Sequence, residues 1–219
     1  MSSTTDLLRL MSWLSPVFPT GGYAYSGGLE QMVHGGAIHD AQSLKGRIAA
    51  LLKDGPPWND AVLFAAAFRS SADGETIEEL SELARAMAGS LERHREALDQ
   101  GAAFLAAAAN WFEAGALPAS PTPLCVAVGA ACGLQSMPAE EALAAFLHAW
   151  VSNQLQAAIR LSVVGQSGAA RLLSELEPAI AETAARAKAS TPGDLGSCTI
   201  LADIAAMNHE TLEPRLFLS

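Results

Sequence analysis

Residues that start and stop helices recur at short intervals along this chain, and this punctuation most constrains its fold. Asp40 and Ser90 carry side chains that cap helix N-termini, whereas Gly55 and Gly74 stand where helical stretches end. Between such residues the apolar positions follow a helical period, and no window alternates as a strand does. The pattern predicts an all-α protein, a single-domain bundle of about eight to ten helices with a C-terminal tail, spanning residues 1–219.

The same signals predict where individual helices lie. We expect a helix from Asp60 with Asn59 as its N-cap, and a break or kink near Pro178 in a later one. Gly129 and Gly133 lie four apart in an apolar segment and predict the close approach of two helices. The expected helical segments are 6–14, 29–34, 41–53, 60–71, 75–89, 91–115, 124–134, a long one beginning at Pro138, 170–190 and 198–208.

Composition narrows the functional classes. Alanine, the best helix former, supplies about a fifth of the chain. The formal net charge is −10 without a basic stripe, which disfavours nucleic acid and anionic membranes as partners. Three cysteines in a chain of this length indicate a reducing compartment, and we find neither a signal peptide nor an apolar window long enough to span a bilayer. We therefore expect a cytoplasmic protein.

The segment SPVFPTGGYAYSGGLE, residues 15–30, differs from the rest of the chain in its prolines, glycine pairs and aromatic residues. Ser26 could be a nucleophile on a tight turn, which would make the protein a serine hydrolase. That chemistry needs a strand before the turn, and none is predicted; a serine that caps the following helix is the simpler interpretation. The glycines do not form a nucleotide-binding loop either, because no lysine follows them.

No metal site or cofactor site is predicted. Cys125 and Cys132 share a helix but have no third ligand nearby, so we interpret them as buried small residues. His209 begins HETLE, in which Glu213 replaces the second histidine of a zinc-protease motif. The sequence thus gives no catalytic residue and no metal ligand.

Docking is the remaining interpretation of the segment. Tyr23 and Tyr25 are the only tyrosines of the chain and lie two residues apart. Amphipathic aromatic residues on a preformed loop are typical interface anchors. The alternative, that one or both fill the protein's own core, is left open by the sequence.

These residues also resemble a known family. The segment SPVFPTGGYAYSGGLE is similar to the motif P-x-G-[GA]-[FY]-x-[YHW]-S-x-G-L-E of the urease accessory protein F family. The segment SLERHREALDQGAAFL resembles an internal region of that family less closely, and the final block GDLGSCTILADIAAMNHETLEPRLFLS resembles its closing motif, which ends in H-E-x-x-x-x-R-L-F-x-S. The resemblance reaches both ends of the chain.

The resemblance implies a non-enzymatic chaperone that is all-helical, cytoplasmic and homodimeric. Such proteins join the accessory protein D, called H in some species, and the GTPase accessory protein G. Together with apo-urease they form an assembly that inserts nickel into the urease active site, and the F protein is thought to gate GTP hydrolysis. A serine hydrolase using Ser26 and a self-associating structural protein are the alternatives.

The two most family-like blocks suggest a partner-binding surface. We hypothesise that loop 23–30 and tail 215–219 form parts of one surface, although the tail could instead only close the core. The candidate partner-binding residues are Tyr23, Tyr25, Glu30, Arg215, Leu216 and Phe217.

Overall fold

A computed structural model describes residues 3–219 and confirms the all-α class. Within that range there are no strands, and three short 3-10 turns, Gly22–Ala24, Ala109–Trp111 and Pro192–Asp194, accompany ten α-helices. The helices are α1 (Thr4–Trp13), α2 (Leu29–His34), α3 (Ala41–Asp54), α4 (Pro56–Arg69), α5 (Gly74–Ala86), α6 (Leu91–Ala108), α7 (Leu124–Leu134), α8 (Ala139–Arg160), α9 (Gln166–Ala189) and α10 (Ile200–His209).

Some predicted helix boundaries are wrong. The helix expected over 91–115 ends at Ala108, where the 3-10 turn Ala109–Trp111 follows. α4 begins at Pro56 with Gly55 as its N-cap, because a proline at the first helical position needs no N–H partner. Asn59 therefore lies inside α4, where its side-chain oxygen accepts a hydrogen bond from the Gly196 amide at 2.9 Å. α9 begins at Gln166 and continues through Pro178 without a break.

The centre of the bundle is α7, which packs on α4 and α6. Gly129 and Gly133 allow this approach, since a side-chain carbon at these positions would lie only 2.4 Å and 2.3 Å from the carbonyl oxygens of Phe64 and Phe68 on α4. The predicted role of the two glycines is thus confirmed. Most of the buried apolar residues form one cluster from Leu10 to Phe217. None of the described helices is long and apolar enough to cross a membrane.

Aromatic rings attach the N-terminal segment to α6. The Trp13 ring stacks on that of Phe112 with centroids 5.7 Å apart and meets Phe104 edge-on at 5.9 Å, and Phe18 lies against Phe104 at 5.7 Å. Such aromatic pairs add about 0.5–1.5 kcal/mol each to the burial of their area. The chain therefore enters the glycine-rich loop from a fixed position.

We predict that Gly129→Ala destabilises the protein by about 1–3 kcal/mol, because the added methyl group meets the backbone of α4, which cannot move aside as a side chain can. Gly46→Ala is the matched control. Gly46 lies within α3 with nothing within 4 Å of the added carbon, so this change is expected to stabilise by about 0.4–1 kcal/mol. Urea unfolding of the two variants measures both effects, and equal stabilities would contradict the packing described here.

Candidate functional site

Two glycines give the loop its shape. Gly27 and Gly28 have φ values of 58° and 76°, in the left-handed region that residues with a side chain rarely adopt. At Gly28 there is also no room, since a side-chain carbon would lie 3.0 Å from the Ala206 amide nitrogen of α10. The turn leads directly into α2 and brings loop residues against the end of the chain.

The tail lies alongside this loop and bonds to it through backbone atoms. The Leu218 amide donates to the Ala24 carbonyl at 2.8 Å, and the Ser26 amide donates to the backbone oxygen of Ser219 at 2.8 Å. The Ser26 hydroxyl donates to the same backbone oxygen of Ser219. Residues 23–30 and 215–219, called here the loop–tail unit, are therefore adjacent in the fold although almost two hundred residues separate them in sequence.

Glu30, at the start of α2, holds the tail through its carboxylate. One oxygen accepts the Leu216 amide at 2.7 Å, and the other accepts the Phe217 amide at 2.9 Å and lies 3.1 Å from His209 Nε2. Burial alone would raise the pKa of Glu30, but the bonds from His209 and the two amides outweigh it and lower the pKa below its ordinary value. The ionised carboxylate is thus the form that the fold stabilises.

His209 continues the network toward α6. Its ring is completely buried at the end of α10, and Nδ1 lies 2.7 Å from the Glu92 carboxylate. The other oxygen of Glu92 accepts a hydrogen bond from Arg215. Both oxygens of each carboxylate therefore have hydrogen-bond partners, which a buried carboxylate requires.

The predicted site residues divide into two groups by position. Tyr23 is 74 % exposed and Leu216 is 53 % exposed, so both present apolar surface to solvent. Arg215 is also exposed, beside Glu92. The remaining three, Tyr25, Glu30 and Phe217, are buried inside the protein.

The buried aromatic residues of the unit have partners within the chain. The Tyr25 hydroxyl donates to Asp99 at 3.2 Å, and burial together with the Asp99 charge raises the pKa of Tyr25 to about 12. The Arg160 guanidinium lies 4.2 Å above the Phe217 ring, a cation–π geometry. Tyr25 therefore fills the core, as one of the two interpretations of the tyrosines allowed, while Tyr23 does not.

The contacts of Ser26 are those of a structural residue. It is fully buried, and besides its bond to Ser219 its oxygen accepts the Glu30 amide at 3.3 Å, so it serves the first turn of α2. The two thiols considered as metal ligands, Cys125 and Cys132, are buried, and burial raises the pKa of Cys132 to about 12. Among residues 3–219 no three His, Cys, Asp or Glu side chains are placed to hold a metal ion.

Sequence reasoning missed Glu92 and gave His209 no structural role. His209 lies in the family-like final block and is the signal that could have drawn attention to this network. Nothing in the sequence around Glu92 distinguishes it from the other charged residues of α6, because its partner is 117 residues away.

Comparison with known proteins shows the family. The sequence model of the UreF family matches residues 38–177. Over 223 residues the chain is 53 % identical to the urease accessory protein UreF of Brucella ovis, covering 99 % of this chain and 95 % of the relative. It is 51 % identical over 219 residues to UreF of Mesorhizobium japonicum and 50 % identical over 220 residues to UreF of Agrobacterium fabrum, each covering at least 99 % of this chain and 98 % of the relative.

Relatives that are urease accessory proteins along the whole length of the chain, together with the all-helical fold, define an accessory protein of urease rather than an enzyme. The chain belongs to the urease accessory protein UreF family. It serves urease maturation, and the predicted family is thereby confirmed.

We predict that Glu30→Gln destabilises the protein at neutral pH by about 1.5–3 kcal/mol, the range for hydrogen bonds to a charged group. The folded-state pKa of Glu30 is lowered from 4.5, so its contribution to stability is present above that pH and is lost as the pH falls through the folded value. The stability difference between wild type and variant should therefore shrink below about pH 4.5 in urea unfolding.

Glu79→Gln, on the exposed face of α5, is the control and should change stability little at any pH. A Glu30→Gln effect that stays constant between pH 7 and pH 3 would show that the carboxylate charge does not hold the tail.

Proposed function

We propose that this protein is a cytoplasmic, homodimeric adaptor that joins the D-type (or H-type) accessory protein to the GTPase accessory protein G. The assembly, with apo-urease, inserts nickel into the urease active site, and the adaptor gates GTP hydrolysis. Membership of the UreF family supports the part of this proposal that concerns urease maturation, since relatives named UreF cover the chain from end to end.

The observation that supports the adaptor role best is a group of exposed apolar side chains on a backbone that hydrogen bonds hold in place. Tyr23 is 74 % exposed, Leu216 53 % and Leu218 55 %, while the backbone between and beneath them is fixed by hydrogen bonds to Ala24 and Glu30. A backbone that is already ordered loses little entropy on binding, so such a patch favours docking of a protein partner.

The six predicted residues then take two roles in this proposal. Tyr23, Arg215 and Leu216 contact the partner. The buried residues Tyr25, Glu30 and Phe217 are positioning residues that keep the loop and the tail side by side. The alternative of a serine hydrolase is not favoured, because Ser26 is buried and bonded to Ser219.

Self-association would use a different part of the surface. Leu7, Leu8 and Met11 on α1 are each more than half exposed, and apolar side chains in such a group commonly mark a contact between proteins. We propose this face of α1 for the homodimer. An adaptor whose dimer contact lies elsewhere keeps its loop–tail unit free for the partner.

We predict that the double substitution of Tyr23→Ala and Leu216→Ala weakens binding to the purified D-type accessory protein at least tenfold and leaves the melting temperature nearly unchanged. Both side chains are exposed, so their loss affects an interface more than the fold. Val17→Ala, at an apolar residue that is 89 % exposed and outside the unit, is the control. Unchanged affinity of the double variant, measured by calorimetry, would place the docking surface elsewhere.

Deletion of residues 215–219 is expected to act differently. It removes the buried Phe217 and leaves the Glu30 carboxylate without its two amide donors, so the melting temperature should fall together with binding. This contrast separates the positioning residues from the contacting ones.

We also predict that the isolated protein neither binds nor hydrolyses GTP, and that it changes the rate of the GTPase only when the D-type protein is present. The physical reason is that the glycine-rich segment lacks the lysine of a phosphate-binding loop and instead accommodates the tail. Phosphate release assays on the separate and combined proteins measure this. GTP turnover that scales with the concentration of the purified chain would overturn it.

A further inference from the structure

Every backbone carbonyl of the loop from residue 23 to residue 27 accepts a hydrogen bond, and the donors come from separate parts of the chain. The Ala24 carbonyl accepts the Leu218 amide of the tail, and the Ser26 carbonyl accepts the Leu29 amide of α2 at 3.2 Å. The other three carbonyls accept side chains of α3 and α8, and the pairs are Tyr23 with Arg160, Tyr25 with Asn153, and Gly27 with Arg47. The path of the loop is therefore fixed by side chains that lie outside it.

Arg47 of α3 is the most buried of these three side-chain donors, with 8 % of its surface exposed. Its guanidinium donates to the Gly27 carbonyl at 2.6 Å and to the side-chain oxygen of Gln154 on α8 at 2.8 Å. Its Nε lies 3.1 Å from the Met32 sulfur on α2. A single side chain thus joins three helices to the left-handed turn of the loop.

The charge of Arg47 has no carboxylate beside it. Within the part of the chain that the structure describes, Arg47 forms no ion pair with an Asp or Glu side chain. Burial lowers the pKa of Arg47 to about 10, which leaves the guanidinium charged at neutral pH. A buried cation of this kind is stable only where its N–H groups meet well-placed acceptors. The Gly27 carbonyl is such an acceptor in its present orientation, so Arg47 favours this one conformation of the turn.

The turn needs such a restraint because glycine populates positive and negative φ about equally. Gly27 and Gly28, both at positive φ, could therefore adopt other conformations at little cost. Rotation of the peptide plane that carries the Gly27 carbonyl would displace Ser26, whose amide donates to the backbone oxygen of Ser219. The restraint on the turn is thus also a restraint on the contact between loop and tail.

We propose that Arg47 is a positioning residue of the docking surface: its guanidinium fixes the Gly27–Gly28 turn and so holds the loop–tail unit in the geometry that the protein partner recognises. Arg47 is buried and does not contact the partner itself. This inference rests on the proposed adaptor function, whose contact residues Tyr23 and Leu216 lie on the two segments that meet beside this turn.

The surroundings of Arg47 allow a direct chemical test of this role. A small cavity of about 60 Å³ adjoins the side chain, and both turn glycines line it. Truncation in Arg47→Ala enlarges this space and leaves the acceptors of Gly27 and Gln154 facing it. A free guanidinium ion carries the same donors as the missing group, so it is expected to enter and restore the bonds.

The first experiment measures amide hydrogen exchange of the isolated Arg47→Ala protein by NMR. We expect the Ser26 and Leu218 amides to exchange at least tenfold faster than in wild type, and the amide of the buried Val128 of α7 to change by a smaller factor. Millimolar guanidinium chloride, far below denaturing concentrations, should reverse most of the loop–tail effect, whereas sodium chloride should not.

Arg69→Ala is the matched control, because Arg69 of α4 also donates to two backbone carbonyls, those of Lys188 and Ser190 at the end of α9. It should leave the exchange of the loop and the tail unchanged. An equal factor at all amides of Arg47→Ala would show a general loss of stability and overturn the positioning role. Unchanged exchange, or exchange that guanidinium does not slow, would overturn it as well.

The second experiment measures the affinity of the purified D-type accessory protein for the same variants, with melting temperatures as the folding control. Arg47→Ala should bind at least tenfold more weakly and recover with guanidinium, and Arg69→Ala should bind as wild type does. If Arg47→Ala binds as tightly as wild type, the positioning role is overturned and the adaptor function stands. A wild-type protein that binds no partner overturns the adaptor function, and this inference with it.

Arg47→Lys keeps the test decisive if Arg47→Ala does not fold. The lysine retains the positive charge, but its single nitrogen cannot reach Met32, Gly27 and Gln154 together. We expect faster exchange of the loop–tail amides and weaker partner binding, without a response to guanidinium because the side chain occupies the space. A folded Arg47→Lys protein with wild-type exchange and affinity overturns the inference.

Discussion

The Glu30 carboxylate is the interaction on which the arrangement of this site depends. It is buried, it accepts two tail amides and it contacts His209, so a single side chain joins α2, α10 and the tail. A buried carboxylate is stable only when its lone pairs are used and its charge is compensated. The order of the tail and the ionisation of the Glu30 carboxylate therefore depend on each other.

The charge of the Glu30 carboxylate is compensated by the other side chains of the network. His209 is placed between Glu30 and Glu92, and Arg215 returns from the tail to Glu92, so the tail supplies both backbone donors and a balancing cation. The loop can meet this tail only because Gly27 and Gly28 adopt left-handed backbone conformations, and at Gly28 a side chain would also meet α10. The conformational freedom of the two glycines and the pairing of charges distant in sequence thus both determine how the loop and the tail meet.

The sequence was sufficient to predict those features of the fold that depend on residues close together along the chain. Asp40 and Ser90 cap their helices through side-chain oxygens that accept the amides of Ser43 and Arg93, as their positions predicted. The same reasoning failed at Asn59, since it also has capping chemistry but the two prolines before it already start the helix.

The candidate site could be predicted only in part. The family-like motifs indicated loop and tail, and the structure places these two blocks side by side. Exposure could not be predicted, because Tyr23 and Tyr25 have the same chemistry and differ only in what α6 offers them, an Asp99 carboxylate for one and solvent for the other. The Glu92–His209 pair arises from the packing of distant helices, for which one sequence holds no local signal.

The last four residues alternate between the two environments: Leu216 and Leu218 are exposed, whereas Phe217 and Ser219 are buried. This period of two is that of an extended strand, although the described residues form no sheet. This alternation constrains the number of residues in the tail more than their identity. The two outward positions tolerate substitution because their side chains are in solvent. Insertion or loss of one residue after Arg215 would instead exchange the faces, exposing the phenylalanine and burying the leucines, as a register slip does in a sheet.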